Sequence, residues 1–136
     1  MFKKAFVCLV IVLLFTAVTL AGSNPEIQKG NWEITVEFEM PGMPMKMPPN
    51  TYTQCIDQDN PIPKDEKPNQ TCEMKDMKRS GNTVTWTMVC TNPGGKMTGK
   101  GEITYMKDKM KGAMTMEGQG FKMVSTYKGH RIGSCP

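Results

Sequence analysis

The densest chemistry in this chain lies in one loop-like run, Met40-Pro41-Gly42-Met43-Pro44-Met45-Lys46-Met47-Pro48-Pro49. Thioether sulfur is a soft ligand that prefers Cu(I) and Ag(I), and a proline-stiffened loop can gather three such sulfurs around one ion. Methionine also remains a usable ligand in an oxidising compartment, where free thiolates are lost. A second chemistry uses the same atoms as apolar surface. Methionine is flexible and polarizable, so a cluster of it adapts to ligands of varied shape, and the run then acts as a flap at the mouth of a pocket. Trp32 and Trp86 are candidate walls of that pocket, with Phe38, Phe121 and Tyr127 beside them. The leading expectation is therefore a ligand site built from Met40, Met43, Met45, Met47, Trp32 and Trp86, with a small hydrophobic ligand or an envelope protein as partner and no cofactor. The alternative is a Cu(I)/Ag(I) site on Met40, Met43, Met45 and Met47, with copper as its cofactor.

The rest of the composition excludes more than it suggests. Among 136 residues there are 14 Met and 5 Cys against one histidine, His130. A single imidazole rules out a site of several His ligands, and the absence of a Cys-x-x-Cys pair argues against a zinc knuckle or a thioredoxin-type centre. His130 stands between Gly129 and Arg131 with no local pattern pairing it to a nucleophile, while Ser80, Ser125 and Ser134 lack a Gly-x-Ser-x-Gly setting. The protein is accordingly expected not to be an enzyme. Glu33, Glu37 and Glu39 read as a solvated strand face.

Compartment follows from the first residues. Lys3 and Lys4, the apolar run Ala5 to Leu20 and the small residues through Ser23 form the three parts of a secretory signal, with cleavage after Ala21 or Ser23. Leu20-Ala21-Gly22 is what precedes an acylated Cys in a lipoprotein signal, but Ser23 stands in that place, so no lipid anchor is expected. Nor does a basic stop-transfer cluster follow, so the processed chain should not span a membrane. The expected organisation is a signal peptide over 1–23 and a single antiparallel β domain over 24–136, exported and soluble in the periplasm. Removing Lys3 and Lys4 takes the 17 basic residues to 15 against 13 acidic, a balance of +2. That is too even to indicate nucleic acid.

Cys8 leaves with the signal, and Cys55, Cys72, Cys90 and Cys135 then read as two disulfides with three possible connectivities. Cys72 and Cys90 each lie nine residues from Gly81, in the turn signal Ser80-Gly81-Asn82. A symmetric hairpin sets such residues opposite each other at about 4.5–5.5 Å, within disulfide range. This favours Cys72–Cys90 with Cys55–Cys135. The pairing Cys55–Cys72 with Cys90–Cys135 stays open.

The elements that must carry these residues are strands. Trp32, Ile34, Val36, Phe38 and Met40 alternate with polar residues across Gly30 to Met40, the pattern of a half-buried antiparallel strand. Thr51 to Ile56, Cys72 to Arg79, Thr83 to Cys90, Lys96 to Met106, Lys109 to Met116 and Phe121 to Gly129 follow at roughly regular spacing. Ser-Gly-Asn, Asn-Pro-Gly-Gly and Glu-Gly-Gln-Gly supply tight turns. Pro41 to Asn50 and the polar stretch Asp57 to Gln70 are loops, because their prolines cannot sit in central strands. Gly99, Gly101 and Gly112 fall within strands and mark a bend, a bulge or a close approach. The fold class is all-β: an antiparallel up-and-down meander forming a half or complete small barrel, with two disulfides supplementing a modest core. A two-sheet sandwich is the second architecture. Most strand methionines keep the alternation and read as core.

Several runs together resemble one family. They are Gly30-Asn31-Trp32-Glu33-Ile34-Thr35-Val36, Met40-Pro41-Gly42-Met43-Pro44-Met45, Gln54-Cys55, Ser80-Gly81-Asn82-Thr83-Val84-Thr85-Trp86, Met97-Thr98-Gly99-Lys100-Gly101 and Gly129-His130-Arg131-Ile132-Gly133-Ser134-Cys135. In combination they look like the domain-of-unknown-function 3617 family, exported proteins of Gram-negative bacteria. The resemblance covers about Gly30 to Pro136. It implies a periplasmic or envelope location and an antiparallel β domain, and it implies no activity and no catalytic residues.

Overall fold

The computed structural model describes residues 27–64 and 67–136. The secretory signal and its cleavage point lie outside the described residues. Apolar and polar residues alternate in β1 (Gly30–Glu39), so that Trp32, Ile34 and Val36 are buried while their neighbours face outward. The same physics sets β4 (Thr83–Asn92), where Val84 and Trp86 point inward, and β5 (Gly95–Met106), where Ile103 and Tyr105 do so. The remaining strands are β2 (Asn50–Ile56), β3 (Thr71–Ser80), β6 (Lys109–Gly118) and β7 (Phe121–Gly133). Each expected strand forms, with ends shifted by a few residues at most.

All seven strands belong to one antiparallel sheet in the order β2-β1-β7-β6-β5-β4-β3, curled into a half-barrel. Followed as a ring, that order is simply chain order: each strand pairs with its neighbours in sequence, β7 pairs with β1, and only β2 and β3 leave a gap. The up-and-down meander is therefore present, and its opening is a seam between β2 and β3. The turns behave as their residues demand. Gly81 (φ 60°) opens the β3–β4 turn, and Gln119 (φ 51°) with Gly120 (φ 75°) forms the β6–β7 turn.

The stretch after β2 does more than connect. Residues 57–64 and 67–70 belong to the connection between β2 and β3, the two strands that bound the seam, and Pro61, Ile62 and Pro63 are buried. Polar side chains pin this strap. Gln54 donates to the Ile62 carbonyl at 3.3 Å and accepts from the Lys64 amide at 2.8 Å. Tyr105 donates its hydroxyl to the Pro61 carbonyl, and Gln58 donates to the Ile27 carbonyl at 2.9 Å. The core around Trp32, Ile34, Trp86, Ile103 and Tyr105 thus lies between the sheet and Ile62 of the strap. Trp32 meets Tyr105 edge to face, with ring centroids 5.5 Å apart.

Both favoured disulfides are present. Cys72 and Cys90 are directly opposed on β3 and β4, with Cα atoms 4.0 Å apart. Cys55 on β2 reaches Cys135 just after β7, with Cα atoms 5.3 Å apart. Because β1 lies between β2 and β7, that second bridge crosses the start of β1. Two disulfides fit an oxidising compartment. Among the described residues no helix is long and apolar enough to cross a membrane.

Candidate functional site

The concave face has a filled end and an empty one. Large side chains fill the end where β1 begins, and at the other end the inward positions are mostly methionine, serine and glycine, with Phe38, Phe121 and Tyr127 among them. A cavity of about 810 Å³ opens there, within the range that holds small-molecule ligands. Its wall is rich in sulfur: Met88 on β4, Met97 on β5, Met114 and Met116 on β6, Met123 on β7 and Met74 on the edge strand β3. Phe38, Phe121 and Tyr127 complete the apolar lining, and Ile62 and Pro63 of the strap enclose it.

Two glycines on β5 shape this end. A Cβ on Gly99 would lie 2.3 Å from Met116 Sδ and 3.0 Å from Met88 Cγ, so its absence lets two thioether side chains lie across the strand. A Cβ on Gly101 would lie 2.2 Å from the Trp86 ring. The Trp86 ring therefore lies against β5 at Gly101. Beyond it, Cys90 Sγ and Met88 Sδ are 3.8 Å apart. Since Cys90 is disulfide-bonded and carries no S–H, this is a sulfur–sulfur packing contact rather than a hydrogen bond.

Polar groups are few and unevenly placed. Ser125, on β7, is buried in the cavity wall, and its hydroxyl has no hydrogen-bond partner among the described residues. It faces Phe38 in the β1–β7 register and Met114 in the β6–β7 register. Lys67 of the strap lies over the Phe38 ring, with Nζ 5.3 Å from the centroid, a cation–π distance. Lys64, Gln70 and Asn92 also line the opening.

The residues singled out from sequence divide between several places. Phe38, Phe121 and Tyr127 come together on the cavity. Trp32 and Trp86 are almost completely buried in the core and are not part of the cavity lining. Met40, Met43, Met45 and Met47 lie in the β1–β2 connection, which leaves the sheet at the same end as the cavity, but they do not line it. Met43 and Met45 are 55% and 75% exposed, while Met40 and Met47 are half-buried. The Met43 amide donates to the Met40 carbonyl at 3.0 Å, closing a turn in which Gly42 takes φ 90°.

The grouping of the strand methionines is what sequence reasoning misses. Their alternation correctly places them inward, where a core residue and a cavity-lining residue have the same pattern. A signal is nevertheless present. Gly99 sits opposite both Met88 and Met116, and a residue without a side chain between two long flexible ones lets both thioethers gather over the same strand.

The remaining chemistry is sparse. His130 is half-exposed on β7, with Nε2 3.9 Å from the Glu33 carboxylate across the β1–β7 pair. No group of three or more His, Cys, Asp or Glu side chains among the described residues could hold a metal ion. No curated protein and no solved structure gives a significant match to the chain. A family model described as "Protein of unknown function (DUF3617)" matches residues 27–135, a span that takes in the whole half-barrel, its strap and both disulfides. The chain belongs to the DUF3617 family.

Proposed function

We propose that this protein is a non-enzymatic periplasmic domain that binds a small hydrophobic ligand at the open end of the half-barrel, the end from which the Met/Pro loop leaves the sheet. The observation that carries this reading is the 810 Å³ cavity with its thioether and aromatic wall, at the end of the sheet where the loop emerges. Methionine suits a wall that must adapt to its guest. The two disulfides support an extracytoplasmic setting, as does the signal-like first segment of the sequence. Binding of the neutral fluorophore N-phenyl-1-naphthylamine tests the proposal. Saturable enhancement is expected, with loss of it in Met97→Trp, which fills the cavity from β5. Absence of saturable binding by the unmodified protein sinks the reading.

A second reading is favoured by the concentration of sulfur at one end of the molecule, in both the wall and the loop. Thioethers there would hold Cu(I) or Ag(I). Anaerobic Cu(I) titration against a competing chelator separates the two ideas. Replacing Met43, Met45 and Met47 together by Leu removes sulfur but keeps apolar surface, so it abolishes metal uptake by the loop and spares fluorophore binding.

A further inference from the structure

We propose that the cavity wall itself holds a soft monovalent cation, Cu(I) or Ag(I), between Met88 and Met116 over the bare position Gly99, with Met123 as a third sulfur. This rests on the second reading above and moves the metal from the loop to the sheet. The observation that carries it is a single row of residues in register. Met74 on β3 pairs with Met88 on β4, Met88 with Gly99 on β5, Gly99 with Met116 on β6, and Met116 with Met123 on β7. All four methionines line the cavity. Directly paired residues project from the same face of a sheet with Cβ atoms about 4.5–5.5 Å apart, so the pairing that builds the fold also sets four thioethers in one line.

Gly99 turns that row into a site. From the point a Cβ would occupy there, Met116 Sδ lies 2.3 Å away and Met88 Cγ 3.0 Å away. Side chains from β4 and β6, which flank β5, therefore meet over it, and the next residue of the row adds the thioether of Met123 beside Met116. Met116 is 3% exposed, so water competes poorly for its sulfur. The wall also selects the ion. Thioether is a neutral, soft ligand suited to Cu(I) and Ag(I), and among the described residues the lining includes Lys64 and Lys67 and no Asp or Glu, so a hard divalent ion finds no carboxylate there. Met88 Sδ is 3.8 Å from Cys90 Sγ, but that sulfur is bonded to Cys72 and offers no thiolate. Ligands carried on paired strands are held more precisely than ligands on a loop, which favours the row over the exposed Met43 and Met45.

The test is anaerobic Cu(I) titration against a competing chelator in three proteins: the unmodified chain, the loop variant with Met43, Met45 and Met47 replaced by Leu, and a wall variant combining Met88→Leu with Met116→Leu. The loop variant should keep a tightly held Cu(I), and the wall variant should bind it about tenfold or more weakly. Leu keeps the apolar volume, and near-UV circular dichroism checks that the wall variant is folded. Gly99→Ala leaves every sulfur in place and should weaken uptake as well, because its methyl group occupies the point where the two side chains meet. A readout that needs no variant is NMR of the unmodified protein labelled at the methionine methyl groups: Ag(I) should shift Met88, Met116 and Met123 before Met43 and Met45. Uptake that vanishes in the loop variant and survives in the wall variant, or shifts confined to the loop methyl groups, overturns the wall site and leaves metal binding by the loop standing. Failure of the unmodified protein to take up Cu(I) removes both.

Discussion

Tyr105 ties the strap to the sheet through a single atom, donating its buried hydroxyl to the Pro61 carbonyl. Burial, with a smaller contribution from Tyr52, pushes the ionisation of this phenol well above its ordinary value. The folded state therefore keeps the proton after an unfolded chain would release it. Its stabilising contribution is intact below about pH 10, the ordinary tyrosine value, and declines as pH rises beyond it. Denaturant titrations across that range should show the decline, and Tyr105→Phe should flatten it while costing about 1 kcal/mol at neutral pH. Asp57 has the opposite sign. Its carboxylate accepts the amides of Asn60 and Asp59 at 2.8 and 2.9 Å. The Asn60 amide chiefly holds its pKa below the usual carboxylate range. That contribution is present above about pH 4 and lost as pH falls further. Limited proteolysis should accordingly find the start of the strap more readily cut in acid, and Asp57→Ala should be cut readily at every pH.

Among the elements, β5 is where a small change should have the largest effect. Adding a methyl group at Gly101 drives into the Trp86 ring, whose nearest atom would be 2.2 Å away, and the ring is held in the packed core. Gly101→Ala should destabilise by about 1–3 kcal/mol, the usual scale of overpacking, with loss of near-UV tryptophan signal. Gly99→Ala meets the flexible end of Met116 instead, so it should be milder and should reduce the cavity. These two positions also show what a sequence can and cannot reveal. The alternation in β1 and the glycine-bearing turns depend on neighbouring residues alone, so they are legible in the order of the amino acids. The strap is not. Pro61-Ile62-Pro63 lies among Asp, Asn, Lys and Gln, and reads as a solvated loop until Tyr105 and Gln54 are known to supply hydrogen bonds that let it be buried. The cavity is hidden for a different reason: Met114 and Met116 obey the same alternation as Met110, which packs in the core, and pattern does not record whether the space opposite a side chain is filled.

For the whole molecule, the two disulfides close loops of very different length, 80 residues for Cys55–Cys135 and 18 for Cys72–Cys90. Loop-closure entropy assigns them about 4.5 and about 3 kcal/mol respectively. Replacing Cys55 and Cys135 together by Ser should therefore cost about 1 kcal/mol more than replacing Cys72 and Cys90, read from urea midpoints. The longer bridge also fixes β2 to the end of β7, while no backbone ladder joins β2 to β3. In mechanical terms the half-barrel has an expansion joint. Load applied across the sheet meets continuous ladders everywhere except at the seam, where it passes into a proline-stiffened strap held by side-chain hydrogen bonds. A change in the curvature of the sheet at that seam would break no strand pairing, and it would act on the cavity that Ile62 and Pro63 of the strap line.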